Sequence, residues 1–360
     1  MILLGAASRT CRNFSTRRLI GSLLLESYGP RSRLYMTVTW FTLIGILAMD
    51  MVWLQFSRLS FAGANWETII RLVSCTSIGL GLCGLIAYRL RDATDRIGVA
   101  LREGARRAEL YASATLVFGL LVAGIMTYCY LGAAADLVLQ DDRLAQIDKS
   151  MGFDWVGFVK FTNNSQLASW LLVKAYESAA CMLPGTLLWF CISGQGERLA
   201  EFLALACITS VGIAVGMMIL PAAGAYAFYH PPLGSYEHFG EGAGMWHYDL
   251  LMALRTGSVS TVDFATPNSN CLVTFPSGHT VLAIIMTYAL RGSRWTFIPA
   301  LAINTTMLVS TIPVGGHHLF DVVVGGFIAA SAIWMVRRPL AAPHSRLQSR
   351  SSSTTLAAVQ

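Results

Sequence analysis

Charge is scarce in this sequence. Only 13% of its 360 residues are Asp, Glu, Lys or Arg, about half the share usual in soluble domains. No polar stretch is long enough to fold as a separate soluble module, so the chain reads as one membrane domain. A C-x-x-C pair is also missing. The eight cysteines are scattered, and Cys75, Cys83, Cys129, Cys181, Cys191 and Cys207 lie inside apolar runs, which argues against both a disulfide framework and a zinc site. What fills the sequence instead is hydrocarbon. The hydrophobic fraction is 54% and the mean hydropathy +0.55, and several runs approach or pass the roughly 20 residues that span a bilayer as a helix. The expected fold is all-α, a polytopic membrane helical bundle of about eight transmembrane helices. The net charge of +6 is read as a topology signal, not as a nucleic-acid footprint.

In chain order, residues 1–34 form a basic cytoplasmic tail. Residues 35–109 supply two helices, about Tyr35–Phe56 and Trp66–Leu90, and an arginine-rich inside loop. The third span is about Leu110–Leu137. Asp141–Ser165 is polar and aromatic, and its first part, Asp141–Trp155, reads as an amphipathic surface helix with Leu144, Ile147 and Met151 on one side. The fourth span, Leu167–Ile192, is interrupted at Pro184-Gly185, and the fifth is Leu199–Leu220. A long Gly-, Pro-, Tyr- and His-rich loop, Pro221–Phe275, separates these from three shorter spans: Ser277 to just before Arg291, Trp295–Ile312 and His318–Val336. Residues 337–360 form a basic, then Ser/Thr-rich tail expected to be disordered. With the N-terminus inside, nineteen of the 26 Lys and Arg residues fall in inside segments. That bias favours eight spans with both termini inside. It also gathers the 221–275 loop, His279 and His317 at the outer face.

The polar residues at the ends of the last spans carry the chemistry. His317 and Asp321 are four apart and share a face if a helix starts there. An Asp bonded to one imidazole nitrogen fixes the tautomer and makes the other a better base or nucleophile. Gly315 and Gly316 allow close backbone approach. His279 follows Pro276-Ser277-Gly278, where Ser277 can cap a helix and Gly278 leaves N–H groups open to an anion, phosphate above all. One histidine can attack, the second can protonate a leaving group, and the donors can hold phosphoryl oxygens. The competing reading of any one histidine at a span end is interfacial structure. Ionisable groups at such positions are costly and usually functional, and the pairing of P-S-G-H-T with H-x3-D favours a site. His318 points away from His317 and reads as supporting structure. His230, His238 and His247 read as loop histidines.

These motifs resemble those of the type 2 phosphatidic acid phosphatase superfamily, K-x6-R-P, P-S-G-H and S-R-x5-H-x3-D on a six-helix core, here residues 110–336. Pro276 to His279 match the second motif. Ser310, His317 and Asp321 match the third, with Thr311 in place of its Arg. The first motif is missing. The resemblance implies that His317 forms a phosphohistidine, Asp321 orients it, and His279 protonates the leaving group, with no metal or other cofactor. It also implies phosphate contacts from Ser277, Gly278 and Ser310. Arg255, the only basic residue between Pro221 and His279, is the candidate for a further contact. Around C-x-x-x-F-x-S-G-H-T (Cys271 to Thr280) the chain is similar to the inositol phosphorylceramide synthase and sphingomyelin synthase branch. Asp142–Trp155, Pro221–Tyr226 and G-G-H-H-L-F-D resemble its inositolphosphotransferase-like members. The implied activity is hydrolysis or transfer of a lipid phosphate at the outer face of an inner or plasma membrane. The reading from another class is a non-catalytic membrane scaffold or transporter.

Overall fold

The computed structural model describes residues 29, 31–240, 242–267, 272 and 274–338. The first 28 residues, Cys271 and the tail beyond residue 338 lie outside the described residues.

Every one of the eight apolar runs folds as helix. α1 is Ser32–Phe56, α2 Gly63–Arg89 and α3 Arg96–Ala134; two short helices follow, α4 (Asp141–Ser150) and α5 (Trp155–Asn163). Then come α6 (Gln166–Glu177), α7 (Ala179–Ile192) and α8 (Gly196–Ile219), and, after the long loop with its short α9 (Ala225–Tyr229) and α10 (Tyr248–Thr256), α11 (Gly278–Ala289), α12 (Arg294–Ser310) and α13 (Leu319–Arg337). Five of these, α1, α2, α3, α8 and α13, are each long and apolar enough to cross a membrane, and the pair α6–α7 makes a sixth if it is one bent span. α11 and α12, with 12 and 17 residues, rise only about 18 and 26 Å against a hydrocarbon core of about 30 Å.

α8 is the central post. It packs against α1, α3, α11 and α13, and Leu199, Ala200, Phe202, Leu203, Ala204 and Leu205 along it are all buried in the main apolar core. One end of the bundle collects the connections that matter here. Strand β1 (Ser60–Phe61), in the α1–α2 connection, pairs in parallel with β2 (Thr261–Val262) in the long loop. Asn65 clasps the same loop, donating to the Val262 carbonyl at 2.8 Å and accepting from the Phe264 N–H at 3.0 Å. Gln140, after α3, donates its N–H to the carbonyl of Pro221. The α1–α2, α3–α4 and α8–α11 connections therefore meet at one end, as the charge pattern requires.

Three local expectations are corrected. α3 is continuous for 39 residues, so Arg96, Arg102, Arg106 and Arg107 sit on helix, not in a loop. Arg, Glu, Ala and Leu are good helix formers, and Asp95 caps the start by accepting from the Gly98 N–H at 2.9 Å. The fourth run breaks at Ser178 with a 46° bend, not at Pro184-Gly185. A proline ring clashes with the carbonyl four residues earlier, here Ala180, so the helix restarts just upstream of that residue. The amphipathic helix is shorter than expected: α4 ends at Ser150, and the separate α5 begins at Trp155. The buried face of α4 is Asp141, Leu144, Ala145 and Asp148, whereas Met151 after it is exposed.

Candidate active site

Two helix starts and one tight turn build the site. Ser277 is fully buried and caps α11, accepting from the Thr280 N–H at 3.3 Å. Its own N–H donates to the Asp321 carbonyl at 3.1 Å, tying the start of α11 to α13. Gly278 and His279 form the first turn of α11, where N–H groups have no partner within the helix. The His279 ring stacks on Tyr176 of α6, with centroids 4.1 Å apart and planes 20° off parallel.

The turn from α12 to α13 carries His317. Its Nδ1 lies 3.2 Å from Oδ2 of Asp321, and both side chains are buried. The same carboxylate oxygen accepts the His318 N–H at 3.0 Å, so Asp321 fixes ring and backbone together. The His317 carbonyl accepts from the Trp155 indole N–H at 3.0 Å. Gly316 has φ +72°, and a Cβ there would stand 2.7 Å from the carbonyl oxygen of Gly244. Only glycine allows the long loop this close to the His317 turn.

Behind the turn sit two carboxylates from α4. Asp148 accepts the N–H groups of Leu319 and Phe320, both at 2.9 Å. Asp141 accepts those of Ala223 and Gly224, at 2.9 and 2.8 Å. His318, fully buried, lies between them, Nδ1 3.4 Å from Asp148 and Nε2 3.7 Å from Asp141, at ion-pair range.

His279 and His317 line one cavity of about 270 Å³, together with Gly278, Gly315, Tyr176 and Trp246 near the rings. Away from the rings its walls are apolar, with Phe118, Leu121 and Ile125 of α3 facing Val281 and Ile285 of α11. Among the described lining residues there is no Lys, Arg, Asp or Glu. A nucleophile oriented by a carboxylate, a second imidazole and a helix N-terminus around one cavity can carry out transfer at phosphorus.

Of the expected phosphate contacts Gly278 lines the cavity, and Ser277, Ser310 and Arg255 do not. Ser310 is buried, and its hydroxyl donates to the Met307 carbonyl at 2.7 Å. Thr311 likewise bonds back to Leu308. Arg255 is committed elsewhere, its guanidinium 2.8 Å from Asp136. Its place at the end of α10 turns it toward the end of α3 and away from the rings. A third histidine does line the cavity. His247, read as an ordinary loop histidine, is 4% exposed, and its Nε2 lies 2.9 Å from the Ala223 carbonyl oxygen. Burial pushes its pKa down, and neighbouring His317 adds to this against the bond to Ala223 and the charge of Asp141. Tyr176, Asp141 and Asp148 were equally hidden. The one local hint is the seven-residue spacing of the two aspartates, which puts both on one face of a helix.

Comparison with known families decides the assignment. The PAP2 superfamily model matches residues 142–335, more than half of the chain. The chain belongs to the PAP2 superfamily. A search of curated proteins gave no match, and neither did a search of solved structures. The superfamily match begins within α4, one residue after Asp141, and runs into α13, so it takes in both histidine-bearing helix starts and Asp148. Membership of the PAP2 superfamily supports a phosphatase-type activity on lipid phosphate. α1, α2 and α3 precede the matched segment.

Proposed function

We propose that this protein is a membrane-embedded lipid-phosphate phosphatase or phosphotransferase working through a phosphohistidine on His317, with its site at the outer face. The observation that carries the reading is that His279 and His317, the latter held by Asp321, line one cavity whose far walls are hydrocarbon. Nδ1 of His317 donates to Asp321, which leaves the Nε2 lone pair for phosphorus. As the P–O bond to the leaving group breaks, His279 supplies a proton to the departing oxygen. His279 then takes a proton from water or an alcohol, which attacks the phosphohistidine and frees His317. The open N–H groups of Gly278 and His279, in a helix capped by Ser277, face the developing charge on phosphorus.

Transfer onto a lipid alcohol is the second reading. The apolar far walls favour it, because they give a second hydrocarbon-bearing substrate a way to the phosphohistidine. The test is turnover of a labelled phospholipid donor in detergent, with and without a lipid alcohol. Label moving to the lipid alcohol identifies a transferase, and label released only as a water-derived product identifies a phosphatase. Full turnover by His317→Ala sinks both.

A further inference from the structure

The cavity asks for a charge that its walls do not show. A phosphoryl group brings anionic oxygens into a recess with no Lys or Arg among its described lining residues. In the reading above His317 is the nucleophile and His279 the proton donor. The non-bridging oxygens then have helix N–H groups but no cation. Arg255 cannot serve, since it is paired with Asp136.

His247 is the lining side chain left over. It stands just before α10, in a loop far from His317 in sequence, and is buried. A carbonyl oxygen only accepts, so the contact with Ala223 puts a hydrogen on Nε2. Nδ1 is then a lone pair or, after proton uptake, a second donor. It has no hydrogen-bond partner among the described residues. The ring's anchor is itself held, because Ala223 and Gly224 give their N–H groups to Asp141. The Gly244–Gly316 approach brings this loop against the His317 turn.

We propose that His247 is a third imidazole of the site, holding a non-bridging oxygen of the substrate through a proton on Nδ1. The proposal rests on the phosphoryl-transfer reading given above. The titratable groups around His247 are His317 on the α12–α13 turn, His279 on α11 and Tyr176 on α6, which line the same cavity, and Asp141 of α4 behind Ala223. Burial disfavours the charged form of His247. The arriving anion reverses that balance and draws the proton in. The recess thus carries positive charge only when phosphate is there to meet it.

His247→Gln separates this role from a structural one. The glutamine amide nitrogen reaches the place of Nε2 and keeps the bond to Ala223, but nothing replaces Nδ1. In detergent, wild type should bind orthovanadate more tightly at about pH 6 than at about pH 8, following His protonation. His247→Gln should bind it at least about tenfold more weakly, lose that pH dependence, and fall about 100-fold in kcat/KM, the scale of a lost oxyanion donor, while melting as wild type does. A glutamine variant with wild-type vanadate affinity and pH dependence overturns the proposal, even if His247→Ala fails to fold. Turnover that survives His317→Ala overturns the phosphoryl-transfer reading, and this proposal with it. Turnover that depends on His317, beside an unaffected His247→Gln, overturns this proposal alone.

Discussion

Asp148 and Leu319 lie 171 positions apart in the chain, yet the carboxylate of one caps the helix that the other begins. The cap holds the start of α13 by two hydrogen bonds, to Leu319 and Phe320. These N–H groups would otherwise be orphans of the first turn, and a negative charge there is favoured by the helix dipole. Because His317 and His318 immediately precede this turn, α4 determines where the His317 ring stands.

Removing Asp148, or the His318 ring beside it, has a definite expected result. Asp148→Ala leaves two donors without an acceptor, at about 1–3 kcal/mol each. His318→Ala leaves the buried carboxylates of Asp141 and Asp148 with no imidazole between them, and unpairing a buried charge costs about 3–5 kcal/mol. Both variants should melt several degrees below wild type in detergent and lose activity as the His317 turn loosens. A His318→Ala protein that melts with wild type would show that the ring is packing, not counter-charge.

His317 and Asp321 should separate by degree. His317→Ala removes the attacking atom, so turnover and acid-quenched phosphoenzyme label should both vanish. Asp321→Asn keeps the size and can still accept from the His318 N–H, but loses the charge that orients the ring and stabilises its cation. A loss of about 10²–10⁴ in kcat is expected from the equivalent change in other carboxylate–imidazole pairs. Asp321→Asn with wild-type kcat would remove the carboxylate from the mechanism.

The sequence reads differently at different ranges. The apolar runs, the His317–Asp321 pairing and the Ser277 cap were legible because each is written within one continuous stretch of chain. His247, Tyr176 and the Asp141–His318–Asp148 arrangement were not, since each depends on which distant segments pack together. Asp141 and Asp148 were also disguised by their charge. A polar face normally meets water, but here it meets backbone N–H groups and a buried imidazole. The arginines at the start of α3 mislead for the opposite reason, since hydropathy marks where a helix enters hydrocarbon and not where it begins.

Arg255 supplies a control. Its ion pair with Asp136 joins a largely covered guanidinium to a carboxylate that is 59% exposed, and pairs open to solvent contribute about 0–1 kcal/mol. Arg255→Ala should therefore lower the melting temperature slightly and leave kcat/KM within about threefold, the change that roughly 0.6 kcal/mol produces. A loss near that of His247→Gln would return Arg255 to the phosphate site and imply that the loop moves when substrate binds.

The apolar half of the cavity sets the last expectation. Phe118, Leu121 and Ile125 recur along one side of α3, and Val281 and Ile285 descend the face of α11 below His279. Ile285 lies six residues beyond His279, about 9 Å further along the helix, so the cavity follows the direction an alkyl chain takes from a headgroup into the bilayer. Leu121 is 2% exposed and lines this part of it. Leu121→Trp should occupy space meant for two or three methylenes, each contributing about 0.8 kcal/mol when buried. For a long-chain lipid phosphate kcat/KM should fall about 15- to 60-fold, as roughly 1.6–2.4 kcal/mol implies. A short-chain soluble phosphate, which never reaches Leu121, should be turned over as by wild type. Melting curves of the two proteins check that the larger ring has not disturbed the bundle. Equal losses on both substrates would mean that the chain lies elsewhere and that the cavity serves the headgroup alone.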